Sequence, residues 1–122
     1  MPSALILDEN APIRELLREW LCAAGYQVFE AQSRRELSAA HRVEIDVLLI
    51  DLPVVREGAK EVIAPLRASM PRAVRVGLSA RLNASVPAHS AKARELGLDA
   101  LLAKPCTREE LLGVLARLGV AP

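Results

Sequence analysis

Four apolar runs in this 122-residue chain end abruptly in side chains capable of chemistry. Leu5-Ile6-Leu7 runs into Asp8-Glu9, Val47-Leu48-Leu49-Ile50 into Asp51, Val74-Arg75-Val76-Gly77-Leu78 into Ser79-Ala80, and Ala100-Leu101-Leu102-Ala103 into Lys104-Pro105. In order, the ends supply an acid pair, a single acid, a hydroxyl and an amine. Apolar runs bounded in this way read as strands buried on both faces of a parallel sheet, with the polar residue at the carboxyl edge. That edge is where open α/β sheets bind ligands, so Asp8, Glu9, Asp51, Ser79 and Lys104 are expected to share one shallow crevice. Singly, each has a plainer reading. Asp8-Glu9 suits the position ahead of a helix N-terminus, Asp51 could be a loop acid, Ser79-Ala80 a strand exit and Lys104-Pro105 a turn. Those readings leave the shared placement at four strand ends unexplained.

Helix-length segments between the strands must position these ends. Over 11–24, Ile13, Leu16, Leu17, Trp20, Leu21 and Ala24 recur at helical spacing, with Asn10 as N-cap and Gly25 just past the end. A short strand follows over Tyr26 to Glu30, and Ser33-Arg34-Arg35-Glu36 is a capping-box pattern opening a helix to about His41. Residues 58–68 carry Val62, Ile63 and Leu66 on one face, and Pro65 predicts a kink or an early stop there. A helix is expected over 87–96, closed by Gly97. Thr107-Arg108-Glu109-Glu110 caps a last one with Leu111, Leu112, Val114, Leu115 and Leu118 on its apolar face. Strand and helix thus alternate about five times in one α/β domain, a doubly wound (βα)5 unit without internal repeats or linkers.

Composition removes several function classes. Sixteen Lys and Arg against fifteen Asp and Glu leave a net charge of +1, which gives no electrostatic footprint for nucleic acid. No apolar stretch approaches the roughly 20 residues that span a bilayer, and Met1-Pro2-Ser3 does not open a signal peptide. A cytoplasmic protein without direct nucleic-acid or membrane partners is expected. Cys22 and Cys106 have no Cys or His neighbours at ligand spacing and read as reduced packing residues. His41 and His89 read as surface residues.

The chain resembles a response-regulator receiver domain, the phosphoacceptor module of two-component signalling, over essentially its full length. The resemblance rests on Leu7-Asp8-Glu9-Asn10-Ala11-Pro12-Ile13-Arg14, on Ile45-Asp46 through Asp51, on Ser79-Ala80 and on Lys104-Pro105, each at a strand terminus and in this order. It implies a flavodoxin-like three-layer sandwich with parallel sheet order 2-1-3-4-5, and a single receiver domain over 1–122 with no effector domain in this chain. It also implies that Asp51 takes a phosphoryl group from a phosphohistidine of a sensor histidine kinase or a histidine phosphotransfer protein. A phosphoryl group beside Asp8, Glu9 and Asp51 concentrates negative charge that cations must answer. Mg2+, or Mn2+ in its place, suits ligation by Asp8, Glu9, Asp51 and the backbone carbonyl of Pro53, the last of these a ligand by family resemblance. Lys104 supplies a movable positive charge, Ser79 a hydroxyl donor, and small Ala80 leaves room for the anion. Output to a downstream protein is expected through residues of about 88–118, a face that also allows a homodimer.

Departures from the family pattern fall where its switch operates. The segment between Asp51 and Gly58 is one residue short, with Val55 in place of the usual proline, and the connection after Ser79 is long. Leu101 occupies the position where most members carry a tyrosine or phenylalanine that turns inward when the hydroxyl engages phosphate. Pro53 and Arg81 occupy the two positions that tune phosphoryl lifetime, and neither side chain suits a hydrolytic water. Slow self-dephosphorylation is therefore expected, with Arg81 available to pair with the phosphoryl group. Two other functions fit the same residues less well. One is a binding module of this fold that no longer needs phosphate, suggested by Leu101. The other is an aspartate-nucleophile phosphohydrolase, which would need a second acid where this chain has Pro53.

Overall fold

The strands form because their runs are apolar on both sides of the pleat, and each side finds its own helical cover. The computed structural model describes residues 1–33, 36, 45–52, 58–82 and 85–122. Within them, strands β1 (Ser3–Leu7), β2 (Gln27–Ala31), β3 (Val47–Asp51), β4 (Val74–Ser79) and β5 (Ala100–Ala103) make one sheet. All neighbours are parallel, in the order β2-β1-β3-β4-β5 that the resemblance implies. Helices α1 (Ala11–Ala23), α2 (Gly58–Ser69) and α3 (Ala91–Glu95) lie in the connections, and α4 (Arg108–Arg117) follows β5. Successive side chains of a strand point to opposite faces, so β1 divides its residues between two cores. Leu5 and Leu7 join Leu48, Ile50, Ile63, Leu66 and Leu101 under α2 and α3, whereas Ala4 and Ile6 join Leu17, Leu21, Leu49, Leu111 and Leu115 under α1 and α4. The result is the expected three-layer flavodoxin-like sandwich.

Caps set the helices where the site needs them. Asn10 accepts a hydrogen bond from the Ile13 N–H (3.1 Å) at the start of α1, and Gly25, with φ of +99°, takes the left-handed position just past its end. Thr107 and Glu110 complete the expected capping box on α4. The helix expected from Ser33 to about His41 lies outside the described residues apart from Ser33 and Glu36. The Glu36 carboxylate accepts from the Gln32 N–H (3.1 Å), one residue earlier than the sequence pattern places it.

Two expectations are corrected. Pro65 does not stop its helix: α2 runs on to Ser69. Pro65 faces solvent, while Ile63, Leu66 and Met70 on the opposite side are buried and hold the helix to the sheet across the missing N–H. The helix expected over 87–96 is only Ala91–Glu95, started by Ser90, whose Oγ accepts from the Ala93 N–H (3.2 Å). The residues before it run along β5 instead. Val86 donates its N–H to the Leu101 carbonyl (3.0 Å) in an antiparallel bridge, His89 donates to the Asp99 carbonyl (2.8 Å), and the Ser85 Oγ accepts from the Ala103 N–H (2.8 Å). A strand edge offers these groups in a row, and meeting them outweighs the helical preference of so short a segment.

Gly77 shows how tightly the layer under the site is packed. It stands between Ile50 and Leu101 in register, and a Cβ placed on it would lie 2.7 Å from Leu98 Cδ1, 2.8 Å from Leu52 Cδ1 and 3.0 Å from Leu101 Cδ1. Gly77→Ala is expected to lower the unfolding free energy by about 1–3 kcal/mol through overpacking, read as a reduced urea midpoint. An unchanged midpoint would show that the three leucines repack freely.

Candidate functional site

The strand order reverses between β1 and β3, and the two acids closing those strands face each other across that point. Asp8 follows β1 with only 2% of its surface exposed, and Asp51 is the last residue of β3. Lys104, just past β5, reaches over β4 to both: its Nζ donates to Asp8 Oδ2 at 2.8 Å and to Asp51 Oδ1 at 2.7 Å. Its backbone N–H donates to the Ser79 carbonyl (2.9 Å), which ties the amine to the end of β4. Burial alone would push the Lys104 ammonium down, but the hydrogen bonds and charges of Asp51 and Asp8 outweigh it and leave the group above the usual lysine range.

Asp8 is the most constrained member. Its second carboxylate oxygen accepts from the Asn10 N–H (2.8 Å), its own N–H donates to the Ala31 carbonyl (3.1 Å), and its carbonyl accepts from Arg14 Nη1 (2.7 Å). Asn10 therefore both caps α1 and holds the acid in front of it.

Of the residues singled out from sequence, Asp8, Glu9, Asp51, Ala80 and Lys104 line one open cavity of about 560 Å3. Ser79 does not reach its surface. It is fully buried, and its Oγ accepts from the Arg81 N–H (3.1 Å). Leu101 is fully buried in the core against Gly77, and Arg81 is exposed. Pro53, Val55 and His41 lie outside the described residues. Among the described residues no three Asp, Glu, His or Cys side chains are gathered closely enough to hold a metal. Even so, Asp8 and Asp51 already converge on a single cationic atom, the Lys104 nitrogen, and Glu9 lines the same cavity. This hard-oxygen set fits a Mg2+-type ion that keeps several waters and takes few protein ligands.

The cavity also extends where sequence reasoning placed only core. Beyond Lys104 it continues along α1 past Ile13, Leu16 and Trp20 to Cys106. Leu16 is 45% exposed, so this part of the helical stripe borders a groove rather than the interior. Burial, with the charge of Glu110, pushes the Cys106 thiol up, so it forms a neutral wall at physiological pH. Helical spacing alone cannot separate a groove-lining stripe from a core-facing one.

Known proteins share this arrangement of strands. A response regulator from Thermotoga maritima has the same fold with a TM-score of 0.78 at 20% identity, over 97% of each chain. A chemotaxis response regulator of Vibrio cholerae is 28% identical, with a TM-score of 0.71 over 97% of this chain and 98% of the other. A response regulator from Burkholderia pseudomallei, solved with a phosphorylated aspartic acid, a calcium ion and citrate, is 25% identical with a TM-score of 0.73, over 94% of this chain and 66% of that one. No curated protein matches the sequence. The response regulator receiver domain profile matches residues 4–116, from β1 into the last turn of α4. That match takes in every strand end and the bridge that Lys104 makes across them, and the chain belongs to the response regulator receiver domain family.

Proposed function

We propose that this receiver domain accepts a phosphoryl group on Asp51 from a protein phosphohistidine and changes its partner affinity as a result. The observation that carries the reading is the bridge of Lys104 between Asp8 and Asp51 at the carboxyl edge of the sheet. Asp51 is the more open of the two acids, with 27% of its side chain exposed against 1% for Asp8, so an incoming phosphorus meets Asp51 first. Its oxygen forms the new O–P bond in line as the N–P bond of the donor breaks, and the imidazole leaves with its electron pair. Mg2+ held by Asp8, Glu9 and Asp51, with the Pro53 carbonyl as a further ligand, would offset the charge gathered there. Lys104 pivots from Asp51 to a phosphoryl oxygen, Ala80 leaves room for it, and Ser79 gives up the Arg81 N–H to donate its hydroxyl to the anion.

The Burkholderia pseudomallei regulator supports this reading, since it carries a phosphorylated aspartic acid and a calcium ion on the same fold. The apolar groove beside Ile13, Leu16 and Trp20 gives the kinase or phosphotransfer protein a seat next to Asp51. Residues 88–118 then carry the output. A second reading, a binding module indifferent to phosphate, is favoured by Leu101, which is already fully buried in this structure.

Intact mass after incubation with acetyl phosphate and Mg2+, beside a chelator control, separates the two. A metal-dependent gain of one phosphoryl group is expected. With Pro53 and Arg81 at the lifetime positions, the adduct should persist for minutes or longer after the donor is removed. No adduct on a folded chain would leave the phosphate-independent module, and decay within seconds would contradict the lifetime argument.

A further inference from the structure

We propose that Arg14 is a positioning residue for the acid pair, locking the Asp8-Glu9 peptide so that both carboxylates face one cation. The inference rests on the metal-assisted reading above and adds to it a residue outside the ligand set. The Arg14 side chain is only 12% exposed, although it is charged and lies at the start of a surface helix. Its Nη1 donates to the Asp8 carbonyl at 2.7 Å, and its Nε is 3.4 Å from Glu30 Oε1 on β2. Arg18 holds the other Glu30 oxygen at 3.0 Å, so Glu30 is bracketed by two guanidinium groups and serves as a fixed anchor.

The carbonyl that Arg14 grips belongs to the peptide joining Asp8 to Glu9. Asp8 itself is held by Asn10, Ala31 and Lys104, and therefore stays in place without Arg14. Glu9, by contrast, is exposed. Its direction depends on the plane of that peptide, which the guanidinium fixes against β2. The guanidinium reaches the carbonyl and the carboxylate through two different nitrogens held in one rigid plane, a geometry that the single nitrogen of a lysine does not reproduce. Partners that orient metal ligands typically change metal affinity by tenfold or more when removed.

The sign of the effect separates positioning from charge. If Arg14 acted only as a positive charge near the cation, removing it would tighten Mg2+ binding. Positioning predicts the reverse. Mg2+ affinity is measured by calorimetry, with fluorescence of Trp20, the only tryptophan, as a second readout from the same cavity. Arg14→Gln is expected to weaken Mg2+ binding about tenfold. Arg14→Lys, which keeps the charge, should weaken it several-fold, and Glu30→Gln, which loosens only the anchor, should also weaken it. The lysine and Glu30 variants keep the test decisive if Arg14→Gln does not fold. Tighter binding in Arg14→Gln, or a lowered urea midpoint with Mg2+ affinity unmoved across the variants, overturns the proposal. A wild-type chain that binds no Mg2+ overturns the metal reading itself, and this inference with it.

Discussion

Asp51→Asn is expected to lose phosphoryl uptake from acetyl phosphate by a factor on the order of 10³ or more while remaining folded. Asparagine keeps the shape of aspartate, but its amide oxygen is a poor nucleophile and carries no charge to hold a divalent ion. The fold has little reason to respond. Among the described residues Asp51 gives its side chain one bond, from Lys104 at 2.7 Å, and an amide oxygen can accept it as well. Lys104 also keeps its 2.8 Å bond to Asp8. Removing one of three neighbouring acids relieves repulsion, so the urea midpoint should stay level or rise. Intact mass and a urea titration on the same samples read both quantities. An undiminished adduct in the variant would move the phosphoacceptor elsewhere.

Lys104→Ala is expected to act on stability as strongly as Asp51→Asn acts on chemistry. It strips the cation from two acids at once, one of which has a side chain only 1% exposed. Removing one partner of a buried ion pair costs about 3–5 kcal/mol, and the lower figure suits this site because Asp51 is 27% exposed and partly screened. Millimolar Mg2+ should restore part of the loss, since a divalent ion answers the same two carboxylates. The pH dependence has a definite sign. The Lys104 pKa is raised on folding, so its stabilisation is fully present below the unfolded value of about 10.4 and is lost as pH rises through the higher folded value. The wild-type advantage over Lys104→Ala in urea should therefore hold steady from neutrality to about pH 10 and shrink only above it. An advantage already gone at pH 9 would mean that the bridge contributes little.

The parts of this molecule that were legible in sequence are those set by local pattern. Four apolar runs gave β1, β3, β4 and β5, and their abrupt ends gave Asp8, Asp51 and Lys104 as neighbours because a parallel sheet puts all carboxyl ends on one edge. Asn10, Gly25 and the Thr107-Glu110 pair gave helix limits through chemistry confined to a single turn. What escaped depends on contacts made at a distance. Residues 85–89 pair with a strand that comes later in the chain, and nothing in Val86-Pro87 announces it. The continuation of α2 through Pro65 is decided by burial of Ile63 and Leu66. Arg14 and Glu30 stand on different elements, and only the docking of α1 beside β2 brings them together. Ser79 was placed at the right strand end, but the direction of its hydroxyl is set by the Arg81 backbone.

The run of residues 85–89 beside β5 has a consequence for what can dock there. An outermost strand ordinarily presents unmet amides and carbonyls, which invite a foreign strand to add to the sheet. On this flank the Asp99 carbonyl, the Leu101 carbonyl and the Ala103 amide are already engaged by the chain's own backbone and by Ser85. A foreign strand therefore cannot claim these three groups without first displacing residues 85–89, so the sheet is shielded on this side by its own chain.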